Sequence, residues 1–163
     1  MFWIIDELKY DRYVEDSENI YRVLSYGQTY IVNGAIWLPG PLTPEAKDKL
    51  PQVNDYLRIT FSPKTVLKYS EKKLSVDKGI ISDSNFFRFF NYHLQFGNAE
   101  TCLQNSNSIV ISDNLAEKFF GKINPVGKLL ESDEGQFMVK GVMSIPENSS
   151  LVPDFIIPIS YLE

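Results

Sequence analysis

The stretch Asn107-Ser-Ile-Val-Ile-Ser-Asp-Asn-Leu-Ala-Glu-Lys-Phe-Phe-Gly121 changes its hydrophobic rhythm at Ser112. Ile109, Val110 and Ile111 are consecutive β-branched residues, the pattern of a strand buried on both faces. Ser112-Asp113 then offers capping oxygens, Leu115, Ala116, Phe119 and Phe120 fall at helical spacing, and Gly121 supplies the stop. Downstream, Pro125 and Gly127 lead into a strand over 128–131, and Ser132-Asp-Glu-Gly135 turns the chain into a partner strand over 136–143. A strand, a capped helix and a hairpin in that order predict an α+β domain, because a doubly wound sheet requires strands and helices to alternate regularly.

Working outward, residues 65–69 and 73–81 read as strands joined at Ser70-Glu-Lys-Lys73, whose lysines discourage edge pairing. Ser82-Asp-Ser84 can cap a short helix over 85–90, and Phe86, Phe87, Phe89 and Phe90 leave it almost no polar side, so it is expected between layers. Residues 53–61 alternate with period two and suit a strand. Before them, Thr43 as cap and Pro44 at the first helical position start a helix after Pro39-Gly-Pro41; it places Leu42, Ala46 and Leu50 on one face and stops near Pro51. Residues 6–20 carry Tyr10, Tyr13, Val14 and Ser17 at the spacing of a short amphipathic helix. Residues 21–26 and 29–32 read as strands, with Asn33-Gly34 a turn. The tail, 151–161, is punctuated by Pro153 and Pro158 and suits an edge strand or a linking segment.

Composition excludes several function classes. In 163 residues, 16 Lys plus Arg stand against 21 Asp plus Glu, and the net charge of −5 opposes a phosphate-backbone partner. A single cysteine, Cys102, forbids an intramolecular disulfide, and a single histidine, His93, removes the Cys/His sets of structural zinc sites. The main apolar runs, 1–5, 35–38 and 155–157, are too short to span a bilayer. Met1-Phe-Trp-Ile-Ile5 is an unusual start for a soluble domain. It is either an element tucked into the core or the stub of a longer apolar segment, and it lacks the basic region and cleavage site of a signal peptide.

The residues that could carry chemistry each have a plainer role. His93 lies in an apolar-flanked strand pattern with no Gly-x-Ser-x-Gly elbow in the sequence, and Cys102 has no basic neighbour to lower its pKa. Asp6-Glu7, Glu15-Asp16 and Asp133-Glu134 are adjacent carboxylates, which point apart on a helix or strand and do not form an acid/base pair. Residues 132–135 lack the alternating ligands of a calcium loop, and Gly121 to Lys128 has the wrong glycine spacing for a phosphate loop. Asn148-Ser149-Ser150 is a formal glycosylation sequon. No residue is assigned a catalytic, cofactor-binding or metal role; binding residues stay unassigned, and the inventory favours a binding or mechanical module over an enzyme.

The order of several motifs is more specific. Asp6-Glu-Leu-Lys-Tyr-Asp-Arg-Tyr13 followed by Asn19-Ile-Tyr-Arg-Val23 resembles the segment after the first transmembrane helix of MacB/FtsX-like ABC transporter permeases, particularly those of Bacteroidetes type. Leu50-Pro-Gln-Val53 with Arg58, residues 82–90, Leu94-Gln-Phe-Gly97, Ile109-Val-Ile-Ser112, Ala116–Gly121, Pro125-Val-Gly-Lys128, residues 137–142 and Pro146-Glu-Asn-Ser149 resemble further motifs of that family in the same order. The resemblance implies the MacB-like periplasmic core domain, with a porter-like α+β lobe over 6–62, incomplete here, and a β-rich Sabre-like lobe over 63–163. Residues 1–5 become the end of the preceding transmembrane helix.

The resemblance further implies a non-catalytic extracytoplasmic domain, without cofactors, on the periplasmic side of the inner membrane. It would couple cytoplasmic ATP hydrolysis to efflux or to movement of a substrate or partner. The implied partners are the permease transmembrane helices, a cytoplasmic ATPase subunit or domain, a second permease copy and a periplasmic adaptor, with no nucleic acid. Ser149-Ser150 departs from the family's serine-histidine pair, and a porter-like lobe cut at Glu163, where Leu162-Glu163 could be a cloning remnant, is expected to expose a strand edge for dimerisation. The alternative is a surface or secreted ligand-binding module unattached to a transporter.

Overall fold

A computed structural model describes residues 10–23, 31–32, 35–36 and 39–162. The expected stub over 1–5, the Asn33-Gly34 turn, most of the strand expected over 21–26 and Glu163 lie outside the described residues. The chain divides into two compact units: Asp16–Arg58, and the described part of Met1–Glu15 together with Ile59–Glu163.

In the unit Asp16–Arg58, β1 (Ile31–Val32) pairs antiparallel with β2 (Ala35–Ile36) in the register Val32↔Ala35. Helix α1 is Leu42–Lys49. It begins one residue before Thr43, with Pro41 at the N-cap and no side-chain cap, so Thr43 does not cap it. None of its residues is buried, and Leu42 and Leu50 are exposed. A salt bridge of 3.0 Å from Lys47 Nζ to Asp55 Oδ1 links α1 to the segment that follows. The helix expected over 6–20 does not form across its described part: residues 10–16 are turns and Ser17–Asn19 is a single 3₁₀ turn. Asp11 (φ 57°) and Asp16 (φ 53°) adopt left-handed backbone, which interrupts helical hydrogen bonding and which aspartate tolerates better than most residues.

The other unit is a mixed sheet of nine strands, β3 (Ile59–Phe61), β4 (Thr65–Tyr69), β5 (Lys72–Val76), β6 (Gly79–Ser82), β7 (Leu94–Gly97), β8 (Ser108–Ser112), β9 (Leu129–Ser132), β10 (Gly135–Met143) and β11 (Phe155–Pro158). Their spatial order is β3-β6-β11-β8-β10-β9-β4-β5, with β7 also on β10. The strand expected over 53–61 is shorter, since only β3 joins the sheet. Residues 65–81 break differently as well. Ser70 (φ 51°) and Glu71 form the turn between Tyr69 and Lys72, and the chain leaves β5 at Asp77-Lys78 to start β6 at the far side of the sheet.

That arrangement dictates the shape of the sheet. From β3 to β4, and again from β5 to β6, the order takes six steps, which in a flat sheet would be roughly 29 Å. The chain from Phe61 to Thr65 can span at most about 14 Å, and from Val76 to Gly79 about 11 Å. The sheet therefore rolls until its ends approach. Ser62, Leu67, Ile109, Phe137, Phe155 and Ile157, contributed by both ends and the middle, line one small internal space of about 10 Å³. Gly79 is required by this closure, because a Cβ there would run into the Phe155 ring and Ser62.

Helix α2 (Phe86–Phe90) and helix α3 (Asp113–Phe120) complete the unit. Ser112 caps α3 by accepting the Leu115 N–H at 3.2 Å, and Gly121 (φ 65°) ends it, as the sequence pattern implies. Leu115, Ala116, Phe119 and Phe120 pack with Leu67, Val76, Ile109, Ile111, Leu130 and Phe155 in one core. Lys72 Nζ donates to the carbonyls of Lys118 (3.2 Å) and Phe119 (2.9 Å), placing a cation at the negative end of α3. Val110, Ile156 and Ile80 alternate to the opposite face of the sheet and are equally buried, as are Phe86, Phe87, Tyr92, Cys102 and Leu103. The tail corrects the edge-strand expectation: β11 lies inside the sheet, parallel to β6 and antiparallel to β8. Pro158 is tolerated because it is the last residue of the strand.

Phe119→Ala is expected to reduce the unfolding free energy by about 3–5 kcal/mol, whereas Ile123→Ala, at 69% exposure, should change it by no more than about 0.5 kcal/mol. Urea unfolding followed by tryptophan-independent circular dichroism measures both.

Candidate functional site

The densest polar constellation among the described residues ties the first described segment, residues 10–15, to the loop Asn148–Leu151. Asp11 adopts left-handed backbone, and its N–H donates to the Asn148 carbonyl at 2.9 Å. Its carboxylate accepts the Ser150 N–H at 2.9 Å on one oxygen and the Ser150 hydroxyl at 2.5 Å on the other. This is a bidentate grip on a loop 139 residues away, and hydrogen bonds to a charged acceptor are the stronger kind.

Two residues on, Tyr13 reaches the same loop. Its hydroxyl lies 2.8 Å from Ser149 Oγ, and the Tyr92 hydroxyl lies 2.9 Å from the same atom. Ser149 Oγ donates to the Leu151 carbonyl at 2.7 Å and accepts the Leu151 N–H at 3.2 Å, while Tyr92 also donates to the Leu151 carbonyl. The two tyrosine rings meet edge to face at 5.8 Å. Val14 is buried beside this network, and the Glu15 N–H donates to Asn91 Oδ1 at 3.1 Å, where Asn91 (φ 54°) closes the C-terminus of α2. A short segment is thus fixed at three successive points, by a carboxylate, a phenol and a backbone amide.

Burial is the main influence on Tyr92 and raises its phenol well above the ordinary tyrosine range, with the Ser149 hydrogen bond acting in the opposite direction. Ser149 is buried, so its hydroxyl must be hydrogen-bonded within the protein, and here it serves as the common partner of both tyrosines. The Ser150 hydroxyl is spent on the Asp11 carboxylate, which the Ser150 amide also binds. The other hydroxyls of the arrangement are occupied with one another and with backbone, which makes it a joint.

The other residues singled out in the sequence are dispersed. His93 is exposed just before β7, outside the strand, and its carbonyl accepts the Ser144 N–H. Cys102 is buried with Sγ 3.7 Å from the Ala99 carbonyl, and burial pushes its thiol up to about 12, the reverse of an activated thiolate. Asp6-Glu7 lies outside the described residues, and Glu15-Asp16 is exposed. Asp133 accepts from Lys68 Nζ at 3.2 Å and Glu134 accepts from the Tyr161 hydroxyl at 3.2 Å, so that pair serves the hairpin turn and its surroundings. In the glycine-lysine loop, the Gly127 N–H goes to the Val139 carbonyl and the Lys128 N–H to the Pro125 carbonyl, which turns both amides away from any phosphate. Among the described residues no group of three His, Cys, Asp or Glu side chains could hold a metal, and no helix is long and apolar enough to cross a membrane.

Sequence reasoning treated Tyr13 as one side of a helix and Asn148-Ser149-Ser150 as a sequon or a family departure. It missed Asp11 and Tyr92 as their partners. The available signal was the pairing of buried-type phenols with a serine-rich loop, which becomes specific only once the chain ends are brought together.

The model of the MacB-like periplasmic core domain family matches residues 1–163. No curated protein matches the chain in a sequence search. Among solved structures, a domain of a putative permease protein from Porphyromonas gingivalis is similar at 23% identity and TM-score 0.65, over 75% of this chain and 53% of that one. The periplasmic region of MacB from Actinobacillus actinomycetemcomitans is similar at 17% identity and TM-score 0.53, over 74% and 56%. The extracellular domain of the noncanonic ABC-type transporter YknZ from Gram-positive bacteria is similar at 21% identity and TM-score 0.52, over 74% and 64%. These likenesses concern the fold, and the match spans between about half and two thirds of each solved chain.

Ser149→Ala removes the shared partner of two tyrosines and is expected to destabilise the domain by about 1–3 kcal/mol. Tyr92 also carries a pH signature. Its pKa is raised on folding, so its contribution is fully present below the unfolded value of about 10 and is lost as pH rises above it. Between about pH 9 and 11 the wild-type chain should therefore lose more unfolding free energy than Tyr92→Phe, measured by chemical denaturation at each pH.

Proposed function

The chain belongs to the MacB-like periplasmic core domain family, and on that premise we propose that it couples cytoplasmic ATP hydrolysis to export or to movement of a partner outside the membrane. The family domain is the periplasmic part of a MacB/FtsX-like ABC transporter permease. In this reading the domain performs no catalysis. Residues 1–5 continue a transmembrane helix, residues 6–62 belong to a porter-like lobe and residues 63–163 to a Sabre-like lobe. The separate grouping of Asp16–Arg58 supports a distinct first lobe, while residues 10–15 and β3 (Ile59–Phe61) group with the rolled sheet. The permease transmembrane helices, an ATPase subunit or domain, a second permease copy and a periplasmic adaptor are its partners, and the inner membrane is its location.

The observation that carries the reading is the joint at Asp11, Tyr13 and Glu15. These residues follow residues 1–5 closely in sequence and are held by the loop Asn148–Leu151 and by Asn91. The same loop leads within a few residues into β11, which is buried and paired on both sides. A displacement of the segment before Tyr10 would pass to an interior strand of the sheet through short hydrogen bonds, with little intervening slack. A mechanical element needs that stiffness; a ligand-binding module does not.

Inserting a flexible Gly/Ser linker between Ile5 and Asp6 in the full-length permease is expected to abolish transport while cytoplasmic ATP hydrolysis continues. Transport at the wild-type rate with the linker in place would argue against coupling through this joint. A reading frame without transmembrane helices on either side of the domain would instead favour the unattached binding module.

A further inference from the structure

Residues 10–15 are fastened to the sheet without belonging to it. They form turns, in neither a ladder nor a helix, and Val14 is the one fully buried residue among them. Polar contacts hold them: the Asp11 N–H on the Asn148 carbonyl, the Asp11 carboxylate on Ser150, the Tyr13 hydroxyl on Ser149 and the Glu15 N–H on Asn91. An attachment with so little apolar burial loses little hydrophobic stabilisation when it opens. Asp11 also holds left-handed backbone (φ 57°) while seated, and release relieves it.

The surface that receives this segment is complete without it. Ser149 Oγ donates to the Leu151 carbonyl at 2.7 Å and accepts the Leu151 N–H at 3.2 Å. The Tyr92 hydroxyl keeps Ser149 and the Leu151 carbonyl as partners, and its ring meets Phe86 edge to face at 5.4 Å. Glu15, Asn91 and Ser150 are exposed, so water takes over their bonds. Full release therefore leaves no buried polar group of the sheet unpaired. Partial slippage does the opposite, because a Tyr13 hydroxyl drawn off Ser149 but still shielded from water has no partner. The seated and the released arrangements are both favoured over anything between them, which makes the opening all-or-none.

We propose that residues 10–15 are a latch, a single cooperative unit that leaves the loop Asn148–Leu151 and Asn91 while the sheet stays folded. The loop is the fixed side, since it leads into β11, which is paired on both edges. The break consequently falls at the hydrogen bonds between segment and loop. Seated, the latch ties the chain before Tyr10 to an interior strand; released, it disengages that chain from the sheet. The latch stands on the geometry of the joint, and only its use, as a link that transmits when closed and disengages when open, rests on the coupling role proposed above.

Native-state amide hydrogen exchange of the 163-residue chain, under conditions where closing outpaces exchange and over a series of low guanidinium concentrations, tests this. The amides of Asp11, Val14, Glu15 and Ser150 lie in two stretches far apart in sequence. They should share one opening constant, larger than that of the β8 and β11 amides and weakly dependent on denaturant. Tyr13→Phe should raise that constant about fivefold, and Asp11→Asn, which tolerates left-handed backbone but loses one acceptor oxygen, about tenfold or more, by the same factor at all four amides. Ile111→Val, in the core of the sheet, should do the reverse: the β8 and β11 amides open several-fold more often while the four latch amides do not change. Latch amides that follow Ile111→Val, that exchange only with global unfolding, or that respond to Asp11→Asn by unequal factors would overturn the latch. Exchange is read without the membrane part of a permease, so such a result would leave the coupling role standing, and failure of the linker experiment would leave the latch standing.

Discussion

Two short chain links govern this molecule. Residues 62–64 and 77–78 each connect strands that lie six places apart in the sheet, and neither can span a flat sheet of that width. The sheet must roll, and rolling creates an interior that side chains have to fill. Helix α3 fills part of it, with its C-terminal carbonyls held by Lys72 of β5. Gly79 is needed because closure brings Phe155 and Ser62 onto its α-carbon. The strands in the middle, β6, β11 and β8, are buried on both faces, which explains why their sequences are continuously apolar.

The same closure creates the joint. Because β11 is interior, the loop before it is anchored, and a segment bound to that loop is bound to the sheet. Asp11 and Tyr13 exploit this with acceptors and hydroxyls that are short and strongly placed. Ser149 is the pivot: one buried hydroxyl partners Tyr13, Tyr92 and the backbone of Leu151. Buried polar networks of this kind fix one arrangement, since any slippage leaves a hydroxyl without a partner. Where family resemblance leads one to expect a serine-histidine pair, Ser150 meets an aspartate, and it does so through both its hydroxyl and its amide.

Legibility in the sequence tracked the distance over which each interaction acts. The capped helix α3 and the Ser132–Gly135 hairpin were readable because cap, turn and face lie within a few residues of one another. Helix α2 was readable from its aromatic residues alone: Asn85, not Ser82-Asp-Ser84, stands at its N-cap, and no side chain caps it. Residues 6–20 were misread, since periodic tyrosines imitate a helical face, while Asp11 and Asp16 adopt left-handed backbone and Tyr13 points to a loop far along the chain. Residues 53–61 were overextended for a related reason. Alternation shows that a segment can be a strand, but a neighbouring strand must supply the ladder, and only β3 has one.

The sequence by itself determined the α+β class, the capped helix α3 and the hairpin after it, the burial of Phe86, Phe87, Phe119 and Phe120, and, through ordered motifs, the family. Tertiary structure alone decided that the proline-marked tail is an interior strand, that β5 and β6 part to opposite sides of the sheet, and that Asp11, Tyr13, Tyr92 and Ser149 converge. The physical reason is that caps, turns and faces are specified by neighbours along the chain, whereas strand partners and buried hydroxyl contacts are chosen by the packed whole, across as many as 139 residues.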